Sequence, residues 1–235
     1  MNILITGTSS GVGYGLTKKY LRNGHSVFGI SRKHNEELDS FSDFHFLSQD
    51  LSKFSEVSFR LPDFLKGISS LELVILNAGI LNEIKDLADT SLEEIKKVMD
   101  VNVWANKILI DNLFSLNINI EHVVGISSGA AVSGSRGWNA YALSKAAFNM
   151  LIQLYAKEHT TTHFTALAPG LIDSNMQDYI YSLRKQEKFP VIKKLKSAKG
   201  TEKMPGPEEA ADIISAGIEK SRNYESGKFL DVRKL

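Results

Sequence analysis

Close to its start the chain runs an apolar strand straight into a glycine-rich turn: NILIT (2–6) is followed by GTSSGVG (7–13). A short run of this kind reads as a buried strand. Glycines at 7, 11 and 13 permit a tight turn, close backbone approach to a pyrophosphate, and close helix packing. The amphipathic stretch at about 11–23 then opens a helix against that turn. This join predicts the first βα unit of a dinucleotide-binding fold, with an ordinary turn as the competing reading.

The rest of the chain repeats the theme. SVFGI (26–30), DFHFLS (43–48), LELVIL (71–76), HVVGIS (122–127), HFTALA (163–168) and KFLDV (228–232) read as further strands. Most are too continuously apolar for one-sided exposure, as expected when helices cover both faces of a parallel sheet. Between them, helices are predicted at about 53–66, 91–116, 139–158 and 207–220. Ser91 and Glu94 have capping-box spacing. Pro207 and two glutamates suit a helix's first turn. The alternation predicts an α/β, Rossmann-type doubly wound fold: a seven-stranded, mainly parallel sheet with helices on both faces.

No linker or internal repeat divides the 235 residues, so one domain spanning 1–235 is expected. The one long segment without predicted structure, 171–206, follows the sixth strand at the carboxyl edge of the sheet, where ligands bind, and reads as a substrate loop. A net charge of +1 gives no overall field for nucleic acid or a membrane surface. The absence of cysteine excludes disulfides, thiol nucleophiles and thiolate metal sites. No apolar run reaches the ~18 residues of a membrane span, and no signal peptide is read, so a cytoplasmic protein is expected.

Tyr141 and Lys145 stand four apart, which on a helix stacks them on one face. A neighbouring ammonium favours phenolate and suits a phenol to proton transfer. Tyr14/Lys18, Tyr181/Lys185 and Tyr224/Lys228 share that spacing. Only Tyr141 has a hydroxyl residue, Ser128, thirteen positions upstream.

Thr6-Gly7-x-x-x-Gly11-x-Gly13, Asn77-Ala78-Gly79, Ser128, Tyr141-x-x-x-Lys145 and Pro169-Gly170 occur in the order and at the spacings of the short-chain dehydrogenase/reductase family. The chain resembles the standard short branch of that family over essentially its whole length. The resemblance implies an oxidoreductase acting on a small-molecule carbonyl or alcohol. Tyr141 would be proton donor and acceptor, Ser128 would bind the carbonyl oxygen, and Lys145 would lower the phenol's pKa and hold the nicotinamide ribose. Asn102 would organise a water behind the lysine.

The resemblance also assigns cofactor contacts. These are Gly7, Ser9, Ser10, Gly11, Val12 and Gly13 at the phosphates; Asp50 and Leu51 at the adenine; and Asn77, Ala78 and Gly79 at its ribose. Pro169, Gly170, Ile172 and Ser174 would lie at the carboxamide. Asp50 or Ser52 could instead cap a helix. Ser31 and Arg32 stand where an acidic residue would select NAD; hydroxyl and guanidinium suit a 2′-phosphate, so NADP(H) is expected, with NAD(H) as the alternative. Ser10 occupies a position where many NADP-dependent relatives carry a second basic residue.

Trp138 and Met176 are the expected substrate-pocket residues, with Tyr179 and Tyr181 as further candidates. His159 and His163 do not form helical metal-ligand geometry, and no metal is expected. Lysines 193, 194, 196, 199 and 203 suit either an anionic substrate or a solvated segment. A homodimer or homotetramer is expected. The Leu143, Ala147, Met150, Leu151, Leu154 stripe fits a dimer's helix bundle or the chain's own core. Two other readings of the same fold are a non-catalytic NADP-sensing or scaffold protein and a redox-assisted epimerase or dehydratase.

Overall fold

The computed structural model describes residues 1–184 and 188–235. Seven strands form one sheet: β1 (Asn2–Thr6), β2 (Ser26–Ser31), β3 (Phe44–Ser48), β5 (Leu73–Leu76), β7 (His122–Ile126), β8 (His163–Ala168) and β9 (Phe229–Asp231). Their order is β3-β2-β1-β5-β7-β8-β9, and every pairing is parallel rather than mainly so. Successive strands add outward from β1 in one direction and then in the other. Their carboxyl ends therefore diverge between β1 and β5, opening a crevice at the reversal. A separate two-stranded pairing of β4 (Ser70–Leu71) with β6 (Asn119–Ile120) had no distinct signal in the sequence.

Alternate residues of β1 face opposite layers. Leu4 joins a core with α2 (Phe54–Phe64), α4 (Ala105–Ser115) and α6 (Asn139–Glu158), in which Leu61, Leu109, Phe148 and Ile152 are fully buried. Ile3 and Ile5 face α1 (Gly11–Arg22) and α9 (Pro207–Ser221), with Leu16, Ile214 and Ile218. These last two helices meet where a Cβ on Gly15 would overlap the Pro207 carbonyl. Lys18 and Arg22 reach Glu208 at 2.6 and 2.8 Å, and Lys19 reaches Asp212 at 2.6 Å. Pro207 occupies the first turn of α9 with Glu208 and Glu209 beside it, as expected.

The helix expected over 91–116 is three pieces. α3 (Leu92–Met99) opens with the Ser91/Glu94 capping box, a π-helical turn follows at Asp100–Trp104, and α4 completes it. The wider turn leaves apolar periodicity nearly intact, which is why the pattern did not betray it, and it rotates Asn102 into the interior.

Residues 171–206 are not a structureless loop. Apart from 185–187, which lie outside the described residues together with one partner of the Tyr181/Lys185 pair, they include α7 (Asn175–Ser182) and α8 (Pro190–Ala198). Ile192, Leu195 and Ala198 supply the buried face of α8, while Lys193 and Lys194 face outward. With Ile180, Phe189, Met204 and Ile84 they make a third, separate core above the sheet edge. Among the described residues, a four-residue helix, α5 (Ala130–Ser133), and 3₁₀ turns at Glu36–Ser40, Leu87–Asp89 and Val232–Lys234 complete the elements. Among the described residues no helix is long and apolar enough to cross a membrane. The α6 stripe divides: Leu143, Met150 and Leu154 are exposed, whereas Ala147 and Leu151 pack on the core.

Candidate active site

The crevice at the strand reversal is a cleft of about 540 Å³. Gly7, at φ +78°, turns the chain out of β1 in a conformation few other residues adopt. Asn77 at the end of β5 braces this turn: its Nδ2 donates to the Thr6 and Gly7 carbonyls at 2.9 and 3.3 Å, and its own N–H donates to Thr6 Oγ1 at 2.9 Å. Asn77 is thus a tie between strands as well as part of a turn. Gly13 does not line the cleft; a Cβ there would meet Asn77 Nδ2 at 2.5 Å, so its role is close packing. Gly7, Ser9, Ser10, Gly11, Val12, Ala78 and Gly79 do line it.

At the start of α1, Ser10 makes no side-chain cap and the first turn carries no acidic residue. A Cβ on Gly11 would meet nothing closer than Ser174 Cβ at 3.6 Å. The helix therefore presents uncapped N–H groups to the cleft, a donor set that fits a pyrophosphate. Ser31, Arg32, Asp50 and Leu51 line the far end. Ser31 Oγ donates to the Lys33 carbonyl at 2.6 Å, and Asn35 Nδ2 donates to the Ser9 carbonyl at 3.1 Å, tying this loop to the glycine turn. The exposed Arg32 has no ion-pair partner among the described residues. Hydrogen bonds from Ser52 N–H and Oγ, at 3.0 and 2.8 Å, pull the Asp50 carboxyl below its ordinary range against the cost of burial. Neither Asp50 nor Ser52 caps α2, which starts at Phe54 with Lys53 as N-cap; Asp50 closes a local turn instead.

At the other end α6 brings Tyr141 and Lys145 to one face, both buried. Ser128, two residues beyond β7, lines the same cleft, where its hydroxyl acts to lower the Tyr141 pKa. Lys145 Nζ donates to the Ile126 carbonyl at 2.8 Å and stands 5.9 Å from the Tyr141 ring centroid. Trp138, Met176, Pro169, Gly170, Ile172 and Ser174 line the same cleft.

Asn102 and Tyr141 have surroundings that their spacing did not convey. Asn102 is fully buried and does not line the cleft. Its Oδ1 accepts from Ile80 N–H at 2.8 Å, and its Nδ2 donates to the Ile80 carbonyl and Ser144 Oγ, each at 3.0 Å, leaving no N–H for a water. Among the protein's own groups, burial raises the Tyr141 pKa and the nearby Ser128 hydroxyl pulls the other way. Burial acts on the Lys145 ammonium as well and brings its pKa down to about 8.

The other pairs show what spacing alone is worth. Lys18 Nζ lies 2.9 Å from Tyr14 Oη, yet that hydroxyl donates to Glu37 at 2.5 Å within a surface ion network. Tyr224 is 41% exposed. Tyr179 and Tyr181 are not cleft residues: Tyr179 Oη accepts from Ile84 N–H at 3.2 Å, and Tyr181 packs on Met204. His159 stacks on Phe114, whereas His163 pairs edge-on with His122.

Several lining residues were not singled out in the sequence: Lys33, Gln49, Gln177, Ile180 and Leu195. Lys33 adjoins Arg32, and that adjacency was the available signal. Ile180 and Leu195 carried a helical apolar spacing inside 171–206 that the lysines obscured. Gln177 had no signal; its Oε1 is buried with no hydrogen-bond partner among the described residues.

The family model for short chain dehydrogenase matches residues 1–185. A benzil reductase ((S)-benzoin forming) from Bacillus subtilis is 28% identical, over 99% of this chain and 98% of that one. Among solved structures, a short chain dehydrogenase/reductase from Saccharomyces cerevisiae superposes with a TM-score of 0.85 at 22% identity, covering 98% of this chain and 95% of that one. The structure of ElxO with NADP bound superposes with a TM-score of 0.79 at 22% identity, covering 98% and 96%.

Proposed function

The chain belongs to the short chain dehydrogenase family, and from that premise we propose that it is an NADP(H)-dependent reductase of small, uncharged carbonyl compounds, with Tyr141 as proton donor and acceptor. One observation carries the reading: a single cleft has Ser128, Tyr141 and Lys145 at one end and Arg32 and Lys33 at the other, with uncapped helix N–H groups between. The neighbour with NADP bound and the benzil reductase relative support it.

The nicotinamide, when bound, supplies hydride to the carbonyl carbon. Ser128 Oγ and Tyr141 Oη converge on one oxygen and fix it by hydrogen bonds as negative charge grows there. The phenol, kept protonated by its burial, donates its proton to that oxygen. Lys145, held by the Ile126 carbonyl, then faces the phenolate with its ammonium and stabilises it. Ser31, Arg32 and Lys33 would hold the 2′-phosphate, and the α1 N-terminus the pyrophosphate.

Leu171, Trp138, Met176, Ile180 and Leu195 wall the carbonyl end, and among the described residues no carboxylate or further cation lines it there. That lining favours an apolar substrate without charge. With NADPH and benzil as first substrate, Tyr141→Phe should lower kcat by about 10²–10⁴-fold while the NADPH dissociation constant stays within a factor of two. Turnover equal to wild type in that variant would end the proposal for Tyr141.

A further inference from the structure

The segment 82–90 runs between the Tyr141 end of the cleft and the cap formed by α7 and α8, and it is tied to both. On the body side, Arg136 donates from Nε to Asp86 Oδ1 and from Nη2 to Oδ2, each at 2.7 Å. Asn139 Nδ2 donates to the Glu83 and Lys85 carbonyls at 2.9 and 3.0 Å. On the cap side, Lys188 Nζ lies 3.0 Å from Asp86 Oδ2, and Tyr179 on α7 accepts from Ile84 N–H.

Phe189, 1% exposed, fills the space beneath this junction. A Cβ on Gly137, at φ +98°, would meet Phe189 Cδ1 at 2.8 Å and Ile84 Cγ2 at 2.9 Å. The Arg136 and Lys188 cations stand 5.9 and 5.6 Å from the Phe189 ring centroid. Both ionic partners of Asp86 thus close over one buried aromatic ring, each from a different part of the fold.

None of these ionic side chains lines the cleft, yet they reach it through near neighbours. Trp138, a cleft wall, sits between Arg136 and Asn139, and Asn139 opens α6 two residues ahead of Tyr141. Phe189 leads directly into α8, which supplies Leu195 to the wall. We propose that Asp86 is a positioning residue, clamping the α7–α8 cap to the turn that carries Trp138 and so setting the shape of the carbonyl-binding end. The consequence for substrate rests on the reductase reading; the clamp itself does not. An isolated surface ion pair is worth little. This one is bidentate on one side, shared with a second cation, and seated on an apolar plug.

The test is Asp86→Asn in the full chain, with Lys188→Gln as a second variant on an exposed side chain should the first fold poorly. Two readouts are needed. Tryptic cleavage at Lys193 and Lys194 should accelerate about fivefold in both variants, because local opening of the cap becomes easier. The KM for the carbonyl substrate should rise about fivefold in dilute buffer with the NADPH dissociation constant unchanged. Wild-type KM should climb with added salt towards the variants' values, while theirs stays flat. Asp86→Glu should recover part of the protection. Unchanged cleavage, or equal losses in NADPH binding and carbonyl KM, overturns the clamp. If no carbonyl is reduced by the wild type, the reductase reading falls and cleavage alone still decides the clamp.

Discussion

Replacing Asn102 by leucine keeps the side chain's bulk and removes its amide. Three hydrogen bonds go with it: to Ile80 N–H, to the Ile80 carbonyl and to Ser144 Oγ. Ser144 Oγ also donates to the Tyr141 carbonyl at 2.8 Å, so its loss is partial. Ile80 is half-buried, and water can reach part of its backbone. Two backbone groups at about 1 kcal/mol each, with a further 1–2 kcal/mol where burial prevents rehydration, give a loss of about 2–4 kcal/mol. For a chain of this size that is a fall in Tm of about 5–15 °C. Thermal unfolding followed by circular dichroism measures it, with Ser144→Ala, which removes the bonds to Asn102 and to the Tyr141 carbonyl, as a control expected to cost about 1–2 kcal/mol. The double variant should fall short of the sum, because the two side chains share a bond. A Tm within 1 °C of wild type, alongside lost turnover, would refute this account and return Asn102 to a purely chemical role.

Two further outcomes follow from the ends of the cleft. Arg32→Ala should raise the NADPH dissociation constant about 10–100-fold, the worth of a charge-assisted contact, and leave that of NADH within a factor of two; thermal shifts with each cofactor report it, and equal weakening of both would count against Arg32 as the phosphate ligand. With the Lys145 pKa near 8, reductive kcat/KM should decline as pH rises through about 8, where the ammonium facing the developing phenolate is lost. Lys145→Arg, which keeps the cation, should abolish that limb, and a limb retained in the arginine variant assigns it elsewhere. The same depressed value means that the folded protein binds fewer protons than the unfolded chain between about 8 and the ordinary lysine range. Lys145 therefore makes the fold more stable as pH rises across that window, an effect urea titrations at pH 7.5 and 9.5 should reveal.

What could be read before any coordinates were at hand was whatever short-range periodicity controls. All seven strands of the main sheet lie where apolar runs put them; the five inner ones are buried almost throughout, while the edge strands β3 and β9 are only partly buried. The glycine turn and the α9 start were equally legible, since their chemistry is local. What escaped was set by contacts distant in sequence or by small departures from regularity. The π turn adds one residue to a helix without disturbing its apolar stripe. α8 hid behind lysines that are its solvent face. Fifty residues separate Asp86 from Arg136, and neither carries a local mark of the other. The site was legible as a set of residue types, but Asn102's inward orientation and the direction of the Tyr141 shift depend on burial, which no spacing encodes.

The packing of α1 on α9 has a bearing on biosynthesis. The turn expected to hold the pyrophosphate is complete in sequence once the thirteenth residue is made, yet the helix behind it rests on Pro207, Glu208 and Asp212, nearly two hundred residues later. A ribosome-bound chain that has already emitted β1, β2 and β5 can cover the sheet side of Leu16 but lacks the Pro207–Glu208 backbone against which Gly15 packs. Contacts of such long sequence separation form late, after loop-closure entropy has been met by the intervening units. The nucleotide affinity proposed for this cleft therefore waits for α9 to be made, and nascent intermediates pass through synthesis with that half of the cleft unformed.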